Sequence, residues 1–242
     1  MPKPSRSSRA KAQPAAAAAA APQYRTRVLN DIPSTLPNLK ISVIVDVGAH
    51  VGDTTREFAA AYPDARVIAF EPVPETYKVL IEAVSEAENV ACVPLALGEV
   101  AGQATMRVDG TSVGNRIVPG TTADADHVTV DVVTGDTWCA ENGVSRIGLL
   151  KIDSEGHDLK VLAGFQKMLA DAAIDIIQVE ANMRRVRARE HLLQDFIGYL
   201  GPMGYHLFGL YGMQRKYRGM PVLARVDPVF IAAPVMERNT RE

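Results

Sequence analysis

Residues 43–53 read Val-Ile-Val-Asp-Val-Gly-Ala-His-Val-Gly-Asp, an apolar, β-branched run that ends in two glycines. A short continuous apolar run is typical of a strand that is buried on both faces of a parallel sheet. Thr54 and Glu57 follow at the spacing of a capping box, so we expect a helix to begin there. A strand, a glycine turn and a helix N-terminus together can hold a polar ligand against backbone N–H groups.

The composition fits one α/β domain. The chain has 242 residues, of which 47% are hydrophobic, so it can bury one sizeable core. Its net charge of −2 gives no general electrostatic reason to expect nucleic acid as a partner. The two cysteines, Cys92 and Cys139, lack metal-ligand spacing, and we read them as reduced thiols of a cytoplasmic protein. No apolar run approaches the roughly 18 residues that a membrane span needs. The oligomeric state stays open.

The two ends of the chain differ from its body. Residues 1–23 are basic, free of acids and rich in alanine and proline, so we predict a disordered tail. Organellar transit peptides have a similar composition, which leaves a targeting role open. We place a single domain at residues 24–236, with an irregular lead-in around Pro33 and Pro37, and a short polar tail at residues 237–242.

The body of the chain alternates strands and helices. Apolar runs at residues 65–70 and 90–97 follow the first strand, and the helix between them has Pro74 in its first turn. This order predicts a parallel sheet with right-handed crossovers. The remaining predicted elements are strands at residues 102–108, 127–133, 147–152, 174–179, 205–211 and 227–232, a loop at residues 109–126, helices that begin near residues 136, 158 and 187, and a basic loop that holds Arg215, Lys216 and Arg218.

Polar or glycine-rich residues follow several of these strands. In an open parallel sheet, ligands bind at the carboxyl ends of the strands, so we assign these residues to one site. They are Asp46, Gly48, Ala49, Gly52, Glu71, Gly98, Asp153, Glu155, His157, Glu180 and Asn182.

Glu71 and Asp46 indicate the kind of ligand. An acid at the tip of the second strand, about 20 residues after the glycine turn, is placed to accept hydrogen bonds from ribose hydroxyls. The turn reads Asp46-x-Gly48-x-x-x-Gly52, without the third glycine that a dinucleotide pyrophosphate requires. Asp46 would repel a pyrophosphate and would suit an ammonium group instead. Because S-adenosylmethionine carries both a ribose and an ammonium, it is the ligand that we predict.

Four segments of the chain together resemble the FkbM family of S-adenosylmethionine-dependent methyltransferases. They are residues 46–53, 70–77, 96–98 and 150–164, and the resemblance extends over roughly residues 41–232. It implies that Pro72, Ala96 and Leu97 also belong to the cofactor site. It implies a class I methyltransferase fold, which is Rossmann-like: a seven-stranded, mostly parallel sheet with helices on both faces and an antiparallel last strand. It also implies O-methylation of a hydroxyl on a sugar, glycan or natural product, with a small-molecule or glycan acceptor as the partner.

His157, Asp153 and Glu155 are the candidate catalytic residues. Methyl transfer is an in-line displacement in which the acceptor hydroxyl must be aligned and must lose its proton. An imidazole with a pKa of about 6.5 is largely neutral at pH 7, which makes His157 the natural general base. The alternative is a histidine that makes only local hydrogen bonds. Asp153 and Glu155 could orient His157 or hold the hydroxyl, whereas Lys151 fits a structural ion pair at least as well as a catalytic role.

A metal-assisted mechanism is an alternative. Asp153, Glu180 and Asn182 end neighbouring strands and would offer Mg²⁺ oxygen ligands, and the metal would lower the pKa of an acceptor hydroxyl. Since no third carboxylate stands at a fixed spacing, we place no metal in the predicted site. Two other functions compete with methyl transfer: a non-catalytic S-adenosylmethionine-binding protein and a nicotinamide-dependent oxidoreductase. The missing third glycine argues against the nicotinamide enzyme.

Overall fold

The computed structural model describes residues 22–111, 115–118, 126–184, 191–217 and 220–240. The first half comprises α1 (Pro22–Thr35), β1 (Val43–Val47), α2 (Asp53–Ala61), β2 (Arg66–Phe70), α3 (Pro74–Ala83), β3 (Val90–Val93), β4 (Ala96–Leu97), β5 (Gly102–Arg107), β6 (Arg116–Val118) and β7 (His127–Val133). The second half comprises α4 (Gly135–Glu141), β8 (Ile147–Ile152), α5 (Asp158–Ala163), α6 (Gln166–Ala170), β9 (Ile174–Gln178), β10 (Ala181–Asn182), α7 (Leu193–Leu200), a 3₁₀ turn at Gly201–Met203, β11 (Tyr205–Tyr217), β12 (Met220–Ala232) and α8 (Ala233–Asn239).

The main sheet has the strand order β3-β2-β1-β8-β9-β12-β11. β1 runs parallel to β2 and β8, and β9 continues the parallel set beside β8. β12 is antiparallel to β9, and the two-residue β10 also pairs with β12. The mostly parallel sheet and the antiparallel last strand confirm the predicted fold, with β10 as an additional short strand among the described residues.

The central strands of the main sheet are buried on both faces. Every residue of β8 is buried, and neighbouring residues of β1, Ile44 and Val45, are 0% and 1% exposed. Because successive strand residues point to opposite faces, both faces of the sheet are covered. Each fully buried Ile or Leu side chain contributes about 1.5–3 kcal/mol, so the strand ends are anchored by a continuous core.

The N-terminal region differs from the prediction. α1 is a helix where Pro33 and Pro37 predicted an irregular lead-in, and it includes the last two residues of the predicted tail. Pro33 lies in the last turn of α1, where it removes one hydrogen bond of the helix. Burial of Val28 and Ile32 at helical spacing stabilises α1. Residues 1–21, which make up the rest of the predicted tail, lie outside the described residues.

The start of α2 also corrects a prediction. Gly52 is the N-cap, in a left-handed conformation and without a side-chain cap bond, so Thr54 lies inside the first turn. The predicted capping box of Thr54 and Glu57 is therefore wrong. A glycine tolerates this positive φ, and the helix can begin one residue after it.

The third predicted strand breaks at Pro94 into two strands of different sheets. β3 belongs to the main sheet, whereas β4 begins a second sheet with the order β4-β7-β5-β6. Proline has no N–H for a ladder hydrogen bond, which accounts for the break. β5 and β7 were predicted, but β6 lies in the predicted loop; residues 112–114 and 119–125 of that loop lie outside the described residues.

Three further boundaries differ in the C-terminal half. The helix predicted after residue 158 is divided into α5 and α6 at Gly164, which packs directly against the Gly98 carbonyl. α7 begins at Leu193, and residues 185–190 of the predicted helix lie outside the described residues. Strand β11 includes Arg215 and Lys216, which were predicted in a loop, while Arg218 is outside the described residues.

Residues 237–239 of the predicted polar tail belong to α8, and residues 241–242 lie outside the described residues. α8 extends to Asn239 because Val235 is fully buried and the Asn239 Oδ1 accepts a hydrogen bond from the Asn38 N–H at 2.9 Å. In the part of the chain that the structure describes, no helix combines the length and apolarity that crossing a membrane requires.

Candidate active site

Gly48 forms the turn where β1 and β8 come together. Its φ is +75°, and a Cβ at this position would overlap the carbonyl oxygen of Asp153. The N–H groups of Gly48 and Ala49 both donate to the Phe70 carbonyl, at 3.0 and 2.9 Å, and the Asp153 N–H donates to the Val47 carbonyl at 3.0 Å. The ends of three strands are therefore tied together here, and a residue with a side chain does not fit at position 48.

Glu71 is held by two backbone donors at the end of β2. Its Oε2 accepts from the His50 N–H at 3.0 Å and its Oε1 from the Val73 N–H at 2.9 Å. The residue is 6% exposed, and burial raises the pKa of its carboxyl, against which both backbone hydrogen bonds act. Since a carboxylate oxygen has two acceptor positions, each oxygen can still accept a hydroxyl of a ligand.

His50 is a site residue that sequence reasoning missed. Its backbone has a φ of +53°, a left-handed conformation that costs a residue with a Cβ about 1–2 kcal/mol. This conformation presents its N–H to Glu71, and its ring Nε2 lies 2.6 Å from the carbonyl of Thr111. A backbone conformation of this kind leaves no signal in the residue type alone.

A cavity lies at the carboxyl ends of β1, β2 and β8. Its empty space measures about 1060 Å³, which includes space open to solvent. The predicted site residues that line it are Gly48, Ala49, Glu71, Pro72, Ala96, Leu97, Asp153, Glu155 and His157. We call this the first cavity. It unites the ligand residues predicted on three strand ends with all three candidate catalytic residues.

The second sheet supplies one wall of the first cavity. Met106 on β5 and Ile117 on β6 line it, with Asn115 beside them. Sequence reasoning missed these residues, because the position of a small sheet relative to the main one is a long-range property that local patterns do not contain. The available signals were the strand alternation at residues 102–108 and the Gly-, Thr-, Ser- and Asp-rich composition of residues 109–126, which is typical of a loop near a ligand or substrate.

Three residues assigned to ligand binding, Asp46, Gly52 and Gly98, do not line the first cavity. Gly52 packs against α3, where a Cβ would lie 2.9 Å from Leu80 Cδ1. Gly98 packs against Gly164, where a Cβ would lie 2.1 Å from the Gly98 carbonyl oxygen. Both glycines lie where a side chain would overlap a neighbouring segment. Asp46 is fully buried behind the Gly48 turn.

Asp46 is paired with a lysine of the neighbouring strand. Its Oδ1 lies 3.2 Å from Lys151 Nζ, and its Oδ2 accepts from the Thr55 hydroxyl at 2.7 Å. Asp46 is 0% exposed, so the ammonium that the sequence led us to expect beside it is that of Lys151. The ion pair agrees with the structural interpretation of Lys151, whose side chain also reaches the first cavity.

The turn after β8 brings the candidate catalytic residues together. Glu155 has a φ of +52° and Gly156 one of +96°, so the chain reverses sharply before α5. Asp153 Oδ2 lies 3.6 Å from Lys151 Nζ. Behind them, the pKa of the buried Asp158 carboxyl is raised to about 7, first by burial and then by the charge of Asp153.

A second cavity adjoins the first one. The two share Thr54, Lys151 and Asp153 as lining residues. Its other lining residues are Val28, Leu29, Glu57, Phe58, Ile152, Gln178, Val179, Glu180, Arg225 and Asp227.

Glu180 and Arg225 form an ion pair in the second cavity. Glu180 Oε2 lies 2.6 Å from Arg225 Nη1. The pKa of Glu180 is raised to about 8, chiefly by burial and next by the charge of Asp153, whereas Arg225 acts in the opposite direction.

The predicted oxygen ligands do not fit a Mg²⁺ site. Glu180 is paired with Arg225, and Asn182 lines neither cavity. The Asn182 backbone N–H donates to the His191 carbonyl at 2.9 Å. Among the described residues there is no group of three or more His, Cys, Asp or Glu side chains that could hold a metal ion.

The protein has the class I methyltransferase fold. A solved structure of a fibrillarin pre-rRNA processing protein from Methanococcus jannaschii has a TM-score of 0.50 at 14% identity, over 81% of this chain and 69% of that one. Aeropyrum pernix fibrillarin, solved with natively bound S-adenosyl-L-methionine, has a TM-score of 0.46 at 13% identity, over 80% and 68% of the two chains. At these identities the M. jannaschii likeness shows the fold alone.

The sequence comparison identifies the family. The model of the methyltransferase FkbM domain matches residues 46–207, and the chain belongs to this family. A curated relative, the hexuronic acid methyltransferase AglP of Haloferax volcanii, is 25% identical over 141 residues, which are 58% of this chain and 57% of that protein. The match thus spans little more than half the length of that relative.

S-adenosylmethionine is the cofactor that the resemblance to this family implied. The residues of the first cavity fit this cofactor. Glu71 presents two fixed acceptors for ribose hydroxyls at the rim of this cavity.

Proposed function

We propose that the protein transfers a methyl group to a hydroxyl of a sugar, glycan or natural-product acceptor. The observation that carries this proposal is the common lining of the first cavity, where the Asp153–His157 turn faces the same space as Glu71 and the glycine turn. A proton acceptor beside a cofactor site is what O-methylation needs, because a hydroxyl must lose its proton during transfer. The family relative named for a hexuronic acid supports a sugar acceptor.

The residues at the ends of β1, β2 and β4 hold the cofactor in this proposal. Glu71 accepts hydrogen bonds from the ribose hydroxyls, while Gly48 and Ala49 contact the ligand through their backbone. Pro72, Ala96 and Leu97 give the apolar surface that a purine ring requires. When bound, S-adenosylmethionine supplies an activated methyl group.

His157 acts as the general base in this proposal. Its imidazole would take the proton of the acceptor hydroxyl, whose oxygen replaces the sulfur of S-adenosylmethionine on the methyl carbon, so that S-adenosylhomocysteine leaves. Asp153 and Glu155 lie on the same turn and line the same cavity, so they are placed to orient the imidazole or the hydroxyl. A positioned general base contributes typically about 10²–10⁴-fold to the rate.

Transfer of a labelled methyl group tests the proposal. The protein would be incubated with methyl-labelled S-adenosylmethionine and a panel of glycosides, glycans and polyketides, each offered with its free hydroxyls. We expect label in at least one acceptor and its attachment to oxygen. Tight binding of the cofactor with no transfer would favour the non-catalytic binding protein, and transfer to nitrogen or carbon would overturn O-methylation.

A further inference from the structure

His50 joins the glycine turn after β1 to the second sheet. Its backbone N–H donates to Glu71 Oε2 at 3.0 Å, and its ring Nε2 lies 2.6 Å from the carbonyl oxygen of Thr111. Because a carbonyl oxygen only accepts hydrogen bonds, Nε2 carries a proton and donates it. His50 also lines the first cavity, so it contacts two parts of the chain that surround the same space.

The segment that the His50 ring contacts is held by its own hydrogen bonds. Asn115 Oδ1 accepts from the Asp109 N–H at 2.8 Å, and Asn115 Nδ2 donates to the Gly110 carbonyl at 2.8 Å. We call residues 109–111 together with Asn115 the β5 turn. Asn115 lines the first cavity and directly precedes β6. A hydrogen bond to Thr111 therefore holds a connected part of the cavity wall.

The strands beside the β5 turn pack against residues that we assign to the cofactor. Met106 on β5 belongs to one buried apolar cluster with Val73 and Ala96, and Ile117 on β6 packs against this cluster. Val73 is the second backbone donor to Glu71, and Ala96 belongs to the proposed purine surface. The second sheet thus covers the half of the first cavity that the proposed function gives to adenosine.

We infer that His50 is a positioning residue for the cofactor, whose ring ties the β5 turn to the glycine turn and keeps the second sheet against adenosine. The inference rests on the proposed placement of the cofactor in the first cavity. It adds a residue that acts through its neighbours: its backbone orients Glu71, and its ring holds the opposite wall.

Two substitutions separate the ring contact from the backbone conformation. In His50→Gln the amide nitrogen can take the place of Nε2 and donate to Thr111, whereas the side chain of His50→Asn is too short to do so. Asn tolerates the φ of +53° better than Gln does, so the Asn variant should be at least as stable as the Gln variant. Affinity and stability should therefore rank the two variants in opposite orders.

Calorimetry with S-adenosylhomocysteine measures the affinity, and thermal unfolding measures the stability. We expect Kd to rise about threefold to tenfold in His50→Asn, as for the loss of one neutral hydrogen bond, and to stay within about twofold of the wild type in His50→Gln. Wild-type affinity in His50→Asn would overturn the inference. Weaker binding by the Gln variant than by the Asn variant would also overturn it, because backbone strain would then govern the affinity.

Adenosine locates the effect, since it lacks the amino-acid tail of the cofactor. Its Kd should rise in His50→Asn by the same factor as that of S-adenosylhomocysteine. A loss confined to S-adenosylhomocysteine would place the second sheet against the tail and would overturn the inference.

A double variant tests whether His50 acts through the second sheet. Ile117→Ala removes part of the same wall, so His50→Asn combined with it should raise Kd by less than the product of the two single effects. Independent, multiplying effects would contradict the inference.

Two comparisons complete the test. His206→Asn removes an exposed histidine of β11 that lines neither cavity, so its Kd should equal that of the wild type. Weaker binding in Glu71→Gln but not in His50→Asn would overturn this inference alone. Unchanged binding in both variants would overturn the placement of the cofactor in the first cavity as well.

Discussion

Replacing Glu71 by Gln tests how the cofactor is held. Both carboxylate oxygens accept a backbone N–H, from His50 and from Val73. Gln has one oxygen, so its NH₂ group must face one of these donors and leave a buried N–H unsatisfied. Such a group costs about 1–3 kcal/mol, which for a domain of this length lowers Tm by about 2–10 °C.

The effect on cofactor affinity follows from the same geometry. A hydrogen bond to a charged acceptor contributes about 1.5–3 kcal/mol, so the loss of one such bond to ribose should raise Kd about 10- to 150-fold. Calorimetry with S-adenosylhomocysteine measures this change. The wild-type affinity should also fall on acidification, through a pKa above the usual range for Glu, whereas Glu71→Gln should be less sensitive to pH.

Glu75, four residues after Glu71, provides a matched control. Glu75 is exposed in the first turn of α3 and does not line the first cavity, so Glu75→Gln should bind S-adenosylhomocysteine like the wild type. If Glu71→Gln also bound the ligand with unchanged affinity, the assignment of Glu71 to the ribose would be refuted.

Four further predictions concern the neighbouring residues. His157→Ala should slow turnover about 10²- to 10⁴-fold with nearly unchanged cofactor affinity, and an intact rate would remove the base assignment. The pKa of Asp158 is raised to about 7, so between about pH 4 and pH 7 the folded state retains a proton that the unfolded state has lost. The free energy of unfolding should therefore fall as the pH rises through this range, by up to about 1.4 kcal/mol per pH unit. Urea unfolding at several pH values should show a weaker pH dependence of this free energy in Asp158→Asn. Lys151→Met leaves the buried Asp46 carboxylate without its cation and should cost about 3–5 kcal/mol, much of which Asp46→Asn should restore in the double variant; additive losses would contradict the pairing. Gly48→Ala should destabilise the fold by about 2–4 kcal/mol through positive φ and overlap with the Asp153 carbonyl, and a wild-type Tm would show that the turn can relax.

The sheet was predictable because its signals are local. β1, β2, β8 and β9 are short apolar runs followed by polar or glycine residues, and such runs have few alternatives to a buried parallel strand. The carboxyl ends of parallel strands meet at one edge, so the spacing alone placed Glu71 and Asp153 around one cavity.

The remaining features depend on packing between distant segments. Asp46 was interpreted as a ligand residue, since the sequence does not reveal that Lys151 on the adjacent strand neutralises it. The close packing of Gly164 against Gly98 is likewise a tertiary contact that the sequence does not reveal. The helix α1 contradicts the local preference of Pro33, because burial of its apolar side chains outweighs one missing hydrogen bond near its end.

The atom that receives the methyl group tests the central claim most directly. With ¹³C-methyl S-adenosylmethionine and the sugar panel, the product would be examined by NMR, which distinguishes a methyl group on oxygen from one on nitrogen or carbon. We predict a labelled O-methyl sugar whose formation depends on His157 and Glu71. A label on nitrogen or carbon, or cofactor binding without any transfer, would contradict the account.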